Sequence, residues 1–171
     1  MAASRLLKKS PRERPRGACA AHSSGRAKLS LSVQYATEQA DIPGRSRLRA
    51  FAQAALQRSA EVTLRLVDAA EGRRLNRDFR GKDYPTNVLT FVYAETELLA
   101  GDIVLCAPVI AAEARSQGKD LEAHYAHLVV HGMLHLQGYD HQCEGEAAVM
   151  EARETEIVTQ LGYPDPYALA A

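Results

Sequence analysis

The sequence predicts an α+β (α/β-like) domain: a single small mixed sheet of about four strands with helices packed on it, and a metal site at the end of a central helix. Three observations predict it. Four short runs have strand-like apolar patterns, the segments between and after them carry helical periodicity, and three of the six histidines crowd into HGMLHLQGYDH, residues 131–141. Strands interspersed with helices and then followed by them suit one sheet layered against helices. A chain of 171 residues is long enough to bury one proper core.

The elements follow in order. LSLSVQY, from Leu29, alternates apolar and polar residues and reads as a strand. After the loop TEQADIPGRS, RLRAFAQAALQRS has helical spacing, with Leu48, Phe51, Ala52, Ala55 and Leu56 on one face. EVTLRLV alternates again as a second strand. DAAEGRRLNRDFR opens on Asp68, an N-cap residue type, and Leu75 and Phe79 are expected on its inner face. RGKDYPTN is a polar loop holding a Gly and a Pro. VLTFVY and DIVLCA are two more strands, separated by AETELLAG. The rest reads mostly as helix: PVIAAEARSQG with Pro in its first turn, the long LEAHYAHLVVHGMLHLQG, and GEAAVMEARETEIVTQLG.

Composition narrows the function classes. Residues 1–28 carry eight basic side chains against Glu13 alone, so the neutral chain divides into a +7 extension and a −7 remainder. The extension has too few large apolar residues for a core and reads as a disordered basic tail, with 29–171 as the single domain. An organelle transit peptide has a similar composition; a tail that touches RNA, or an upstream start without function, are the other readings. The acidic domain does not predict nucleic-acid binding by overall charge, so any such site must be a local basic patch. Cys19, Cys106 and Cys143 form no disulfide framework and suit a reducing compartment. No apolar run is long enough for a membrane span, and the N-terminus lacks the apolar core of a secretory signal.

The histidines carry the chemistry. On a helix, residues four apart stand about 6 Å along the axis and point the same way, so His131 and His135 make a two-pronged clamp. Gly138 lies where a helix commonly ends in the left-handed conformation. Such a turn can swing His141 back to complete a three-nitrogen set with one position left open, as in catalytic zinc sites. Three imidazoles accept Zn²⁺, Ni²⁺ or copper. His124 and His127 share the stripe, and a structural or supporting role is expected of them. Cys143 is a weaker rival ligand. The spacing also matches the zinc-protease pattern H-E-x-x-H-x-x-G-x-x-H, except that Gly132 replaces the glutamate that serves as general base.

Two motifs together make the reading specific. HGMLHLQGYDH resembles one signature of the YbeY family of single-strand-specific endoribonucleases, and LNRDFRGKDYPTNVLTF, residues 75–91, resembles a second. VQYA, GDIVLC and AHLVVHG are similar too and in the same order, so the resemblance covers about residues 30–165. It implies a metal-dependent RNA hydrolase that matures ribosomal RNA, including the small-subunit 3′ end, and serves ribosome quality control. It implies a zinc-like ion on His131, His135 and His141 and a functional arginine at Arg80. The implied partners are single-stranded RNA, ribosomal RNA, the small ribosomal subunit and its assembly factors, in the cytoplasm.

The residue chemistry agrees. A bound divalent ion can lower the pKa of its water to about 7 or polarise a phosphoryl oxygen. Charge that builds on the phosphate suits a positioned arginine. Arg80 opens the RGKDYPTN loop, and Lys82 follows it as a second phosphate contact. Arg73, Arg74 and Arg77 make this the densest basic run of the domain, although at least two of them suit a solvated helix face. Asp140 can orient a ligand histidine or cap the helix end. Asn87 is expected to hold the loop, and Tyr84 and Tyr139 suit packing better than base stacking. The rival function is a ribosome-assembly binding factor whose metal is structural, which a fourth protein ligand would favour. A peptidase is disfavoured by Gly132.

Overall fold

The structure is a computed structural model that describes residues 27–95, 97–140 and 144–168. The N-terminal extension up to residue 26, His141 and Cys143 lie outside these described residues. Order follows β1 (Leu29–Ala36), α1 (Arg45–Ala54), β2 (Ala60–Val67), α2 (Ala69–Arg80), β3 (Val88–Glu95), β4 (Leu99–Cys106), α3 (Ala107–Ser116), α4 (Leu121–Leu136) and α5 (Glu144–Gln160).

The four strands form one mixed sheet in the order β1-β2-β4-β3. β1, β2 and β4 run parallel, and β3 pairs antiparallel with β4 as an edge strand. Alternation along the strands gives each face its own layer. Val62, Leu64, Leu66, Ile103 and Leu105 point into the main core with Leu48 and Phe51 of α1, Ile110 of α3, Tyr125, Val129, Met133 and Leu136 of α4, and Met150, Ile157 and Val158 of α5. On the other face Val67, Leu89, Val104 and Cys106 make a smaller cluster, with Leu75 of α2 packed against it.

Two glycines let α4 lie tightly on the sheet. A Cβ at Gly132 would sit 2.8 Å from Ile103 Cγ2, and one at Gly101 would collide with Leu136 and the Phe91 carbonyl. The residue that separates this chain from the zinc-protease pattern therefore faces the sheet. A glutamate there would point into the core rather than toward a substrate.

Three expectations need correction. Helix α1 ends at Ala54, earlier than its apolar spacing suggests, and Ala55 is its C-cap. Strand β4 begins at Leu99, because Gly101 in AETELLAG serves close approach to a helix rather than a turn. Phe79 is 50% exposed. Leu75 packs inward as expected, and the fully buried positions of α2 are Gly72 and Asn76. A Cβ at Gly72 would stand 2.9 Å from Cys106 Sγ, and Asn76 donates to the Tyr84 carbonyl at 2.6 Å, so the small and polar positions dock and Phe79 is left to stack edge-on against Phe91.

Candidate metal centre

Helix α4 is capped at its N-terminus by Asp120, whose side chain accepts from the Ala123 N–H at 2.9 Å. It ends where Gly138 takes φ 95°, as expected of a left-handed terminus. That turn folds Tyr139 back, its N–H donating to the Leu134 carbonyl at 3.1 Å. The Tyr139 carbonyl then accepts from His135 Nδ1 at 2.9 Å. A carbonyl can only accept, so Nδ1 of His135 carries the proton and Nε2 carries a lone pair. One turn earlier, His131 Nδ1 lies 2.6 Å from Glu154 Oε1.

Glu154 sits on α5 and is fully buried. Burial works to raise its pKa, but the hydrogen bonds from His127 and His131 outweigh burial and hold the carboxyl well below the usual carboxylate range. The ionised carboxylate accepts, so His131 also carries its proton on Nδ1. Both rings thus present Nε2 lone pairs, and these two nitrogens face each other at 3.1 Å. In the neutral tautomer that these Nδ1 anchors select, Nε2 is the lone-pair atom of each ring, so the pair suits a shared cation. Two ligands at about 2.0 Å from a tetrahedral ion stand about 3.3 Å apart, close to the spacing observed. The donor set therefore fits a metal ion.

A neighbouring grouping, His127, His131 and Glu154, also brings ligand atoms within 4.8 Å of one another and could hold a metal. Its internal distances argue for support instead. Glu154 Oε1 lies 2.6 Å from His131 Nδ1, closer than two ligands of one tetrahedral ion and a hydrogen-bond length, while the 3.0 Å from Oε2 to His127 Nε2 suits a hydrogen bond as well. The Tyr167 hydroxyl also donates to Glu154. Burial and then Glu154 push that phenol far above its ordinary pKa, so it remains a donor.

Of the sequence-predicted residues, His131 and His135 come together on α4. His124 turns away: its Nε2 meets Glu113 Oε2 at 2.9 Å. Glu113 also accepts from Asn87 Nδ2 at 3.0 Å, so Asn87 ties the end of the RGKDYPTN loop to α3 and α4, as its loop-holding role requires. Arg80 lies in the last turn of α2 and is half-buried, followed by Gly81 at φ 68°. Lys82 is exposed with its ammonium 5.8 Å from the centroid of the Tyr84 ring. Arg73 and Arg77 pair with Asp83 and Asp78 on the solvated face. Helices α2 and α4 pack on opposite faces of the sheet. Phe79 touches Phe91 on one side, and Leu136 lies over Gly101, next in register to the Phe91 partner Asp102, on the other. The Arg80 end of α2 and the His135 end of α4 therefore flank the same stretch of edge strand β3.

Sequence reasoning missed Glu154. The available signal was a charged residue on the apolar stripe Met150, Glu154, Ile157 and Val158 of α5. For His135 the orienting group is the backbone carbonyl of Tyr139. Tyr139 packs against the main core, and its hydroxyl meets Gln57.

Comparison with known proteins places these features in a family. Residues 34–162 match the family model described as Endoribonuclease YbeY. A protein of that name from Nitrosomonas europaea is 62% identical over 141 residues, 82% of this chain and 86% of the relative. Another from Aromatoleum aromaticum is 61% identical over 144 residues, covering 82% and 94%. A solution structure from Thermotoga maritima aligns with a TM-score of 0.49 at 24% identity, over 81% of this chain and 99% of that one.

Proposed function

This chain belongs to the YbeY endoribonuclease family, and from that premise we propose that it is a metal-dependent endoribonuclease specific for single-stranded RNA. In this reading it matures ribosomal RNA, including the small-subunit 3′ end, and serves ribosome quality control in the cytoplasm, with the small subunit and its assembly factors as partners. Among the described residues no helix is long and apolar enough to cross a membrane.

The observation that carries the reading is the pair of imidazoles whose Nδ1 atoms are anchored and whose Nε2 atoms face each other at 3.1 Å. His131 and His135 would hold one divalent ion, with His141, three residues beyond Gly138, as the third ligand; Zn²⁺ is the proposed ion and Ni²⁺ the next. When bound, such an ion supplies Lewis-acid polarisation of a phosphoryl oxygen and acidification of water. The chain's own residues do the rest. Arg80 donates to the phosphate as charge builds on its oxygens. Lys82 adds a second positive charge along the backbone of the RNA. Asn76 and Asn87 keep the loop between them in place through Tyr84 and Glu113. The flanking of β3 by the two helix ends supports a scissile phosphate lying across that edge.

The test is cleavage of a single-stranded oligoribonucleotide by the zinc-loaded chain, beside a chelated sample and Arg80→Ala. Cleavage that disappears on chelation and falls in the folded variant is expected. A folded, zinc-loaded wild type that leaves the RNA intact would end the reading, and full activity in Arg80→Ala would end the role of that residue.

A further inference from the structure

Glu154 is the one buried carboxylate among the described residues, and three donors converge on it. His131 Nδ1 approaches Oε1 at 2.6 Å, His127 Nε2 approaches Oε2 at 3.0 Å, and the Tyr167 hydroxyl donates to the same Oε2. Tyr167 reaches it from the segment after α5. That segment is held by Lys119 Nζ on the Pro166 carbonyl at 2.7 Å and by Thr155 Oγ1 on Asp165 at 3.1 Å. Hydrogen bonds satisfy the lone pairs, but a carboxylate taken wholly out of water also calls for positive charge nearby. The ion pairs of Glu154 are with His127 and His131.

We propose that Glu154, fixed by Tyr167 and His127, is the positioning residue of the metal centre: through His131 Nδ1 it sets the ring to present Nε2 beside His135. This inference rests on the metal reading of His131 and His135. It assigns the C-terminal segment a part in metal retention. Glu154 touches neither substrate nor reacting atoms. Its effect is on how strongly the ion is held, because an anionic acceptor behind an imidazole orients the ring and raises its basicity.

The experiment is a zinc competition titration of the full-length chain against a chromophoric chelator, with the visible absorption of the Co²⁺-loaded protein recorded in parallel. In Glu154→Gln an amide replaces the carboxylate with little change of shape. Its zinc affinity is expected to fall about 10–100-fold, with a shifted Co²⁺ spectrum, a native circular dichroism spectrum, and cleavage that returns toward wild type at saturating metal. Tyr167→Phe is expected to lower affinity less, since it removes one of three donors. A merely structural role would lower the melting temperature of both variants while leaving affinity and Co²⁺ spectrum at wild-type values, and that result overturns the inference. Should Glu154→Gln fail to fold, Tyr167→Phe decides: reduced affinity sustains the inference and wild-type affinity overturns it. A wild-type chain that takes up no zinc at all removes the metal reading, and this inference with it, which is a distinct outcome.

Discussion

Helix α4 carries two pairs of histidines, and the pairs are wired in opposite senses. In His131 and His135 the Nδ1 atom is anchored, on Glu154 and on the Tyr139 carbonyl, and the two Nε2 atoms face each other. In His124 and His127 the Nε2 atom is anchored, on Glu113 and on Glu154, while the Nδ1 atoms are buried without a hydrogen bond. Residue type and helix stripe are the same in both. The difference lies in which nitrogen the surroundings hold, and this decides whether a ring offers a lone pair to an ion or braces its neighbours. A protein can therefore place four histidines on one helix and use only part of them as ligands.

The largest expected effect breaks the first pair. His135→Ala should lower RNA cleavage by more than the roughly 100-fold that loss of a supporting group costs, with zinc content falling in step and circular dichroism unchanged. Cleavage near wild-type levels would show that this ring is no ligand. Next comes the other side of β3. Arg80→Ala should reduce kcat by about 10²–10³, the scale of losing one donor to a developing oxyanion, while zinc content stays at wild type; single-turnover kinetics would measure it.

A third change concerns the contrast with zinc proteases. Gly132→Glu restores their glutamate, but its Cβ would meet Ile103 at 2.8 Å. Overpacking and a buried charge should cost about 3 kcal/mol or more in denaturant unfolding, without peptide hydrolysis. A stable variant that cuts peptides would contradict the placement of that helix face. The second pair sets a smaller scale. His124→Ala should leave the zinc stoichiometry intact and cost about 1–3 kcal/mol, because Glu113 loses a partner in a half-buried site.

The smallest effect is on pH. Glu113 has its pKa lowered: burial acts to raise it, and the hydrogen bonds from His124 and Asn87 prevail. A carboxyl depressed on folding binds fewer protons than in the unfolded chain, so its contribution is complete above the ordinary value of about 4.3 and is lost as pH falls below it, through the folded pKa. Metal-free wild type should lose stability on acidification through that window, and Glu113→Gln should flatten the loss. Parallel pH profiles of the two would remove Glu113 from the account.

Much of this was legible in the sequence because it depends on short-range patterns. Strand alternation in β1 and β2, the Asp68 cap and the Gly138 terminus each depend on residues within one turn or one strand. The i, i+4 spacing likewise placed His131 and His135 together. Features set by contact between elements were not legible. Gly101 falls in the stretch read as separating two strands because the space Leu136 requires is set by another element, and Phe79 reads as internal because the docking of Gly72 and Asn76 depends on a distant strand and loop. Glu154 lies 23 residues from His131, and only the packing of α5 on α4 joins them. Its one local sign was a charge on an apolar stripe.

The most direct test sets His135→Ala beside His124→Ala in a single zinc titration of folded, full-length protein. The account predicts that His124→Ala binds one equivalent as wild type does and that His135→Ala loses stoichiometric binding. Equal binding by the two variants would contradict it, since the anchored nitrogen would then not distinguish ligand from brace.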